Sequence, residues 1–224
     1  MKYFFQFLWF GIVLLSIPNL LNAKAEKTSD KSTLNYFFAA AKSNNIKELK
    51  QAVASGVNIE SKDRQGRTAL LVATRENAIK SAQFLIDTGA DVNAKDNLQD
   101  SPYLYAGAEG RLEILKMTLI SGADLKSINR YGGTALTPAA HHGHIDVVKL
   151  LLTTTIDINQ VNFLGWTALL EAVILGDGGI TYQQIVRLLL KAGADKTITD
   201  SDDVSALQHA KSLGQTKIIK LLDK

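Results

Sequence analysis

Cysteine is missing from the 224-residue chain, and proline is scarce, with only three residues. The absence of cysteine excludes disulfide cross-links, cysteine-ligated zinc, thiol catalysis and the lipid-modified cysteine of a bacterial lipoprotein. The stability of the fold must therefore come from packing alone.

A strong excess of one charge is also lacking. The chain has 25 basic and 22 acidic residues, a formal net charge of +3. Loss of Lys2 and Lys24 with the amino-terminal signal described below leaves 23 basic against 22 acidic residues, a net charge of +1. A nearly neutral protein lacks the attraction to phosphates on which nucleic-acid binding depends. We therefore expect no nucleic-acid partner.

The first 25 residues have the composition of a secretory signal. Lys2 supplies a positive start, residues 3–17 are almost wholly apolar, and Pro18 breaks the run before small residues. This order of segments is typical of signal peptides. We predict cleavage after Ala25, with cleavage after Ala23 as the second possibility.

An uncut membrane anchor is the alternative, because residues 3–23 could just span a bilayer. The cleaved signal is favoured because Gln6, Pro18 and Asn19 interrupt the apolar segment. We predict a periplasmic or secreted protein with no membrane attachment after cleavage.

Internal repeats organise the remainder of the chain. Equivalent serine or threonine residues open apolar segments at separations of 33, 33, 33 and 38 residues: Thr68, Ser101, Thr134, Thr167 and Ser205. A second series, mostly within Gly-Ala-Asp, has the same separations: Gly56, Gly89, Gly122, Thr155 and Gly193. Two independent series with one period predict an array of stacked repeats.

Each repeat carries the local signals of two short helices. The serine or threonine can accept backbone N–H groups at a helix start, and the apolar segment after it, as in residues 134–142, predicts the first helix. Residues that tolerate a left-handed backbone then predict a turn: Asn44, Asn77, Gly110, Gly143, Gly176 and Gly214. A second amphipathic helix follows, for example at residues 145–152 or 185–190. Each unit is thus predicted to be helix, turn, helix and extended loop.

The repeats resemble those of the ankyrin family. Gly-x-Thr-Ala-Leu at residues 66–70 and 165–169, Gly-His-Ile-Asp-Val-Val at 143–148 and the recurring Gly-Ala-Asp carry this resemblance. It implies an all-α ankyrin-repeat solenoid, with β-hairpin finger loops, first helices lining a concave face and second helices outside. We expect six units, of which the first and last are degenerate caps: residues 34–62, 63–95, 96–128, 129–161, 162–199 and 200–224. A polar linker, residues 26–33, precedes them.

Three features depart from the family pattern. Gln99 stands where fingers usually have glycine, and Pro138 removes a backbone donor early in the first helix of the fourth unit, where it could distort the first turn. Five extra residues lie between the helices of the fifth unit and resemble an insertion in exported bacterial ankyrin proteins. They are either a tolerated surface loop or a recognition loop that presents Ile180 and Tyr182. The candidate residues of this loop are Asp177, Gly178, Gly179, Ile180 and Tyr182.

Candidate catalytic and metal sites are weak. His141, His142 and His144 form a histidine cluster. However, His144 stands where ankyrin units usually carry a histidine for turn structure, and His141 and His142 should point in different directions on a helix. For Glu171, on a first helix, a structural carboxylate is favoured over a general base. The sequence has no phosphate-binding loop, zinc-protease or serine-hydrolase motif. We predict no enzymatic activity, no cofactor and no bound metal.

Apolar and aromatic residues occupy finger positions that do not build the core. Aligning the units places them near one another, beside Arg130: Leu98, Tyr131, Phe163, Leu164 and Trp166. Neighbouring positions on the first helices add His141, His142, Ile174 and Leu175. Aromatic residues and arginine dominate the energetic centres of interfaces, so this strip is a candidate partner surface. The alternative is that Phe163 and Trp166 only cover gaps between fingers.

These observations predict a non-enzymatic, monomeric module that binds another protein through the concave face. The resemblance to exported bacterial ankyrin proteins implies a periplasmic adaptor or chaperone-like partner, and in a more specific form an accessory factor for a periplasmic catalase in oxidative-stress defence. One alternative is a secreted effector that binds a host protein. Another is a small-molecule or metal-binding protein that uses Glu171, His141 and His142.

Overall fold

The structure is a computed structural model that describes residues 31–224. The predicted signal and the first five residues of the predicted linker lie outside the described residues. The described part of the chain contains twelve helices: α1 (Lys31–Lys42), α2 (Ile46–Ala54), α3 (Ala69–Arg75), α4 (Ile79–Asp87), α5 (Pro102–Ala108), α6 (Leu112–Ile120), α7 (Leu136–His141), α8 (Ile145–Leu151), α9 (Ala168–Ile174), α10 (Ile180–Lys191), α11 (Ala206–Ser212) and α12 (Thr216–Leu222). None of these helices is long and apolar enough to cross a membrane.

The helices form two layers. Odd-numbered helices stack on one another from α1 to α11, even-numbered helices stack from α2 to α12, and each odd-numbered helix packs on the even-numbered helix that follows it. The core runs between the layers and includes one fully buried leucine from each even-numbered helix: Leu49, Leu85, Leu115, Leu151, Leu189 and Leu222. Because no single unit could bury its own apolar face, stacking creates this core. The structure confirms the expected all-α repeat solenoid with six helix pairs.

One alanine recurs at the equivalent position of every odd-numbered helix. These alanines have no exposed surface: Ala40, Ala73, Ala106, Ala139, Ala172 and Ala210. A protein interior is packed as densely as an organic crystal, so the small side chain at this position sets the distance between units.

The first unit begins earlier than predicted. Helix α1 starts at Lys31, so residues 31–33, which were assigned to the polar linker, form its first turn. Buried Phe37, Ala40 and Ala41 anchor this helix further along the chain. Their packing stabilises the whole helix, which can therefore extend over polar residues at its exposed end.

Serine or threonine caps form in four of the five units predicted to have them. The side chains of Thr68, Ser101, Thr167 and Ser205 each accept a hydrogen bond from the backbone N–H three residues later.

The predicted cap at Thr134 is wrong. Its buried hydroxyl has no hydrogen-bond partner, and α7 begins at Leu136 with Ala135 as its N-cap. Pro138 has no N–H group to donate to the Thr134 carbonyl, so the first helical hydrogen bond is missing. The expected distortion of this turn by Pro138 is confirmed.

The turns between paired helices also follow the prediction, with one exception. Asn44, Asn77, Gly110, Gly143 and Gly214 all have positive φ, from 53° to 79°.

Gly176 does not share this conformation. In the fifth unit the insertion moves the left-handed residue to Gly178, with φ 69°. Gly176 is instead a point of close approach, because a Cβ there would collide with the Ala172 carbonyl and the Tyr182 ring. The predicted turn role of Gly176 is therefore wrong.

Candidate functional site

Five tight finger turns form one edge of the candidate site. Each begins at an aspartate or asparagine whose Oδ1 accepts hydrogen bonds from the backbone N–H groups two and four residues later, at 2.8 to 3.1 Å. These residues are Asp63, Asp96, Asn129, Asn162 and Asp200. Their role was not predicted from the sequence, although they recur with the same period as the helix caps.

The fourth residue of each finger turn has a left-handed backbone. Gln99, with φ 64°, adopts the conformation that glycine supplies at Gly66, Gly132 and Gly165. The expected β-hairpins are reduced to two isolated bridges within residues 31–224, Lys62 to Thr68 and Thr199 to Ser205. The fingers are therefore rigid turns held by side chains, and they project their remaining residues at a fixed orientation.

A groove of about 490 Å³ lies between the fingers of the third to fifth units and the adjacent odd-numbered helices. It brings together most of the predicted strip: Leu98, Arg130, Tyr131, Leu164, Trp166, His141 and His142. It also includes residues that the sequence analysis did not assign to the strip, among them Asp100, Tyr105 and Asn162. The period of the repeat therefore predicted most of the strip residues that line this one groove.

Two members of the predicted strip lie outside this groove. Phe163 is 74% exposed, and its ring covers the backbone of the preceding finger, where a Cβ on Gly132 would lie 2.6 Å from the Phe163 Cδ1. Ile174 is partly buried against the core, while its neighbour Leu175 lines the groove. The covering role proposed as the alternative for Phe163 therefore fits its position.

The end of the groove towards the second unit carries two arginines that share one carboxylate. Asp100 Oδ2 lies 3.3 Å from Arg130 Nη1 and 4.0 Å from Arg75 Nη1. Each guanidinium also lies over a tyrosine ring, Arg75 over Tyr105 at 4.5 Å and Arg130 over Tyr131 at 4.8 Å. Burial raises the pKa of Asp100, although Arg130 acts in the opposite direction. The two guanidinium groups of this end are held in fixed geometry, and Glu109 adds a second carboxylate to the lining of the groove.

The other end of the groove contains a buried carboxyl group. Glu171 is 8% exposed, and its Oε1 accepts a hydrogen bond of 2.8 Å from Asn162 Nδ2. Burial raises the pKa of Glu171 to about 7, and the charge of His142 and the bond from Asn162 lower it only in part.

The same pair of positions is linked in the last unit, where His209 Nε2 lies 2.6 Å from Asp200 Oδ2. In these two units, the residue nine positions after the start of the finger thus ties that finger to its helix. This supports the structural role predicted for Glu171.

The histidines lie closer together than predicted. The ring centroids of His141 and His142 are 4.6 Å apart, because His142 is the C-cap of α7 and has left the regular helix. The expectation that they point apart is wrong. Burial lowers the pKa of His141, and of His144, whose ring packs against Gly110. Within residues 31–224, no group of three or more potential ligands is arranged to hold a metal ion.

The insertion in the fifth unit is divided between the turn and the following helix. Helix α10 begins at Ile180, five residues before the predicted start, and the preceding turn is closed by a 2.7 Å bond from the Gly179 N–H to Asp177 Oδ1. This turn, residues 175–179, is two residues longer than the turns of the other units, and α10 has 12 residues where α4 and α6 have 9.

Tyr182 and Ile180 have different surroundings in this helical turn. The Tyr182 hydroxyl donates to the His141 carbonyl at 2.8 Å, whereas Ile180 is 69% exposed. Gln215 of the last unit donates to the Val173 and Gly176 carbonyls and supports the insertion from the other side. Tyr182 is thus a link between the fourth and fifth units.

Known proteins share this architecture. A family model described as ankyrin repeats, in three copies, matches residues 12–96 and 103–200. The crystal structure of an ankyrin repeat domain from Acinetobacter baumannii AYE is 56% identical, with a TM-score of 0.81, over 83% of this chain and 95% of that one. The ankyrin repeat protein EF0377 is 44% identical, with a TM-score of 0.81, over 85% of this chain and 97% of that one.

Two further likenesses are more limited. The ankyrin repeat domain of Bcl-3, a member of the IkappaB family, is 24% identical with a TM-score of 0.75, over 84% of each chain, and shows the fold alone. The ankyrin repeat protein YahD of Escherichia coli (strain K12) is 45% identical over 53 residues, which are 24% of this chain and 26% of YahD. The match to YahD thus spans about a quarter of that relative.

Proposed function

The chain belongs to the ankyrin-repeat family, and from this premise we propose that it is an exported protein-binding module whose partner occupies the groove of the third to fifth units. Ankyrin repeats generally mediate protein–protein interaction, and stacked repeats create extended concave surfaces suited to it. The family is typically non-enzymatic. What we propose is the surface through which the protein binds its partner and the compartment in which it does so.

We choose this surface because Tyr131, Trp166 and Arg130 line a single concave groove together with leucines. Tyrosine, tryptophan and arginine are the side chains most enriched among residues that dominate binding energy. Even-numbered helices of the same solenoid have only scattered exposed apolar residues, such as Ile120 on α6. Scattered apolar residues are normal on any protein surface, whereas a concave cluster is not.

The first test places a photo-crosslinking amino acid at single positions of the full chain in living cells. We expect a crosslinker at Tyr131 or Leu98 to yield a discrete adduct with another protein. A crosslinker at Ile120, which is 87% exposed on the opposite layer, serves as the control and should yield none. Adducts from Ile120 alone, or from none of the three positions, would contradict the groove as the binding surface.

Export is the second part of the proposal and rests on residues 1–25. A carboxyl-terminally tagged full chain, produced in a Gram-negative bacterium, should appear in the periplasm with Glu26 as its first residue, or Lys24 if the second site is used. Deletion of residues 3–17 should retain the protein in the cytoplasm. Recovery of uncut protein in the membrane fraction would support the anchor instead, and recovery from the medium would support a secreted effector. Amino-terminal sequencing of each fraction decides among them.

A further inference from the structure

Glu171 is a buried carboxyl group without a firm counter-ion. Asn162 satisfies one of its oxygens, but the other, Oε2, lies 3.9 Å from His141 Nδ1, too far for a hydrogen bond. Burial lowers the pKa of His141, which disfavours the charged form of its ring. An ionised carboxylate that loses water is costly, and the charge of His142 and the bond from Asn162 offset that cost only in part, so the pKa of Glu171 stays raised.

The surroundings of this carboxyl group suit the stem of a long cationic side chain. Trp166, Leu164, Leu175 and Pro138 line the same groove as Glu171. Lysine and arginine pack their apolar stems on such surfaces while the charged end reaches a polar group. An aromatic face adds attraction for a cation.

The two ends of the groove differ in how their carboxyl groups are paired. At the far end, Arg75 and Arg130 lie beside Asp100, and Glu109 brings a second carboxylate to the groove. Towards Glu171, the described residues of the groove bring no lysine or arginine. An incoming cation therefore finds at the Glu171 end a carboxyl group that no lysine or arginine neutralises.

We propose that the groove binds its partner through a lysine or arginine side chain whose charged group lies at Glu171. This inference rests on the proposed function and adds the chemistry of the partner. Above pH 7, where Glu171 is mostly ionised, the free protein has already met the cost of removing water from this carboxylate. A cation that enters the groove therefore gains more attraction than it would at an exposed carboxylate.

The test uses two neutral-ended tripeptides as probes: N-acetyl-Leu-Lys-Leu-amide and the same peptide with norleucine in place of lysine. The protein, purified after production of the full chain, is labelled with ¹⁵N. The indole N–H signal of Trp166 is followed by NMR and assigned with a Trp166→Phe variant. We expect saturable shifts with the lysine peptide and at least about tenfold weaker binding of the norleucine peptide. Equal binding of the two peptides, or no shift with either, would overturn the inference.

Two variants localise the effect. Glu171→Gln keeps the shape of the side chain and should weaken binding of the lysine peptide by about tenfold or more. Glu113→Gln, an exposed glutamate on α6, is the matched control and should change nothing. Binding of the lysine peptide that is unchanged by Glu171→Gln would place the cation away from this carboxyl group and overturn the inference.

The proposal of a cation at Glu171 can fail without failure of the proposed function. If the Tyr131 crosslinker captures a protein equally well in the Glu171→Gln background, the groove binds proteins but not through a cation at Glu171. If groove crosslinkers capture nothing, the proposed function itself fails.

Discussion

Glu171→Gln is expected to stabilise the folded chain at pH 8 by about 3 to 4 kcal/mol and to leave its stability at pH 4 almost unchanged. The pKa of Glu171 is raised from an ordinary 4.5 to about 7, and each unit of difference between folded and unfolded chain corresponds to about 1.4 kcal/mol. The amide still offers an oxygen to Asn162 Nδ2 and carries no charge to be buried.

The sign of the pH dependence follows from proton uptake. Between pH 4.5 and 7 the folded chain binds a proton at Glu171 that the unfolded chain releases, so stability falls as the pH rises through this window. Below pH 4.5, Glu171 is mostly protonated in both the folded and the unfolded chain, so burial of its charge costs no stability. Above pH 7 the full cost is present. Urea denaturation followed by circular dichroism at pH 4, 6 and 8 measures the difference between the two proteins. If Glu171→Gln raises the free energy of unfolding equally at all three pH values, burial of charge is not the cause of the increase.

Glu113→Gln provides the reference for this comparison. Glu113 is an exposed residue of α6 that pairs with Lys116. Removal of an exposed ion pair changes stability by a few tenths of a kcal/mol at most, so the Glu113 variant should show no comparable dependence on pH.

Ala139→Leu is expected to destabilise the protein by about 2 to 3 kcal/mol, because it adds three carbon atoms where α7 packs between α5 and α9. Ala139 has no exposed surface, so the larger side chain can be accommodated only by separating the units. Repeat arrays depend on contacts between neighbouring units, and a defect in the fourth unit therefore weakens the coupling between the two halves.

The measurement is again urea denaturation, with attention to the shape of the transition. We expect a lower midpoint and a broadened or divided transition for Ala139→Leu. Ala54→Leu, at the exposed end of α2, is the matched control and should remain close to the parent. A parent-like curve for Ala139→Leu would mean that the alanine does not set the spacing of the helices.

The fold was predictable because the signals that specify it are local and recur. Thr68, Ser101, Thr167 and Ser205 each cap a helix through contacts within three residues, and the common period showed that the same unit is built repeatedly. The sequence also contains the cause of the missing cap at Thr134, because Pro138, four residues later, removes the first helical hydrogen bond.

The groove was predictable only in part. The period placed Leu98, Tyr131 and Trp166 in equivalent finger positions, but the direction of a side chain within a tight turn depends on its dihedral angles. Phe163 therefore covers the neighbouring finger at Gly132 although it adjoins Leu164 in the chain. The pKa of Glu171 depends on burial among several units, which no local pattern reports.

The bond from Tyr182 to the carbonyl of His141 joins the two units that contain most of the groove. In a stack held mainly by contacts between neighbours, tension applied to the ends separates the weakest junction first. Gln215 provides a comparable tie at the next junction, where it donates to the Val173 and Gly176 carbonyls of the fifth unit. The fifth unit is therefore held to both of its neighbours, and under mechanical load the fourth, fifth and sixth units would resist separation together.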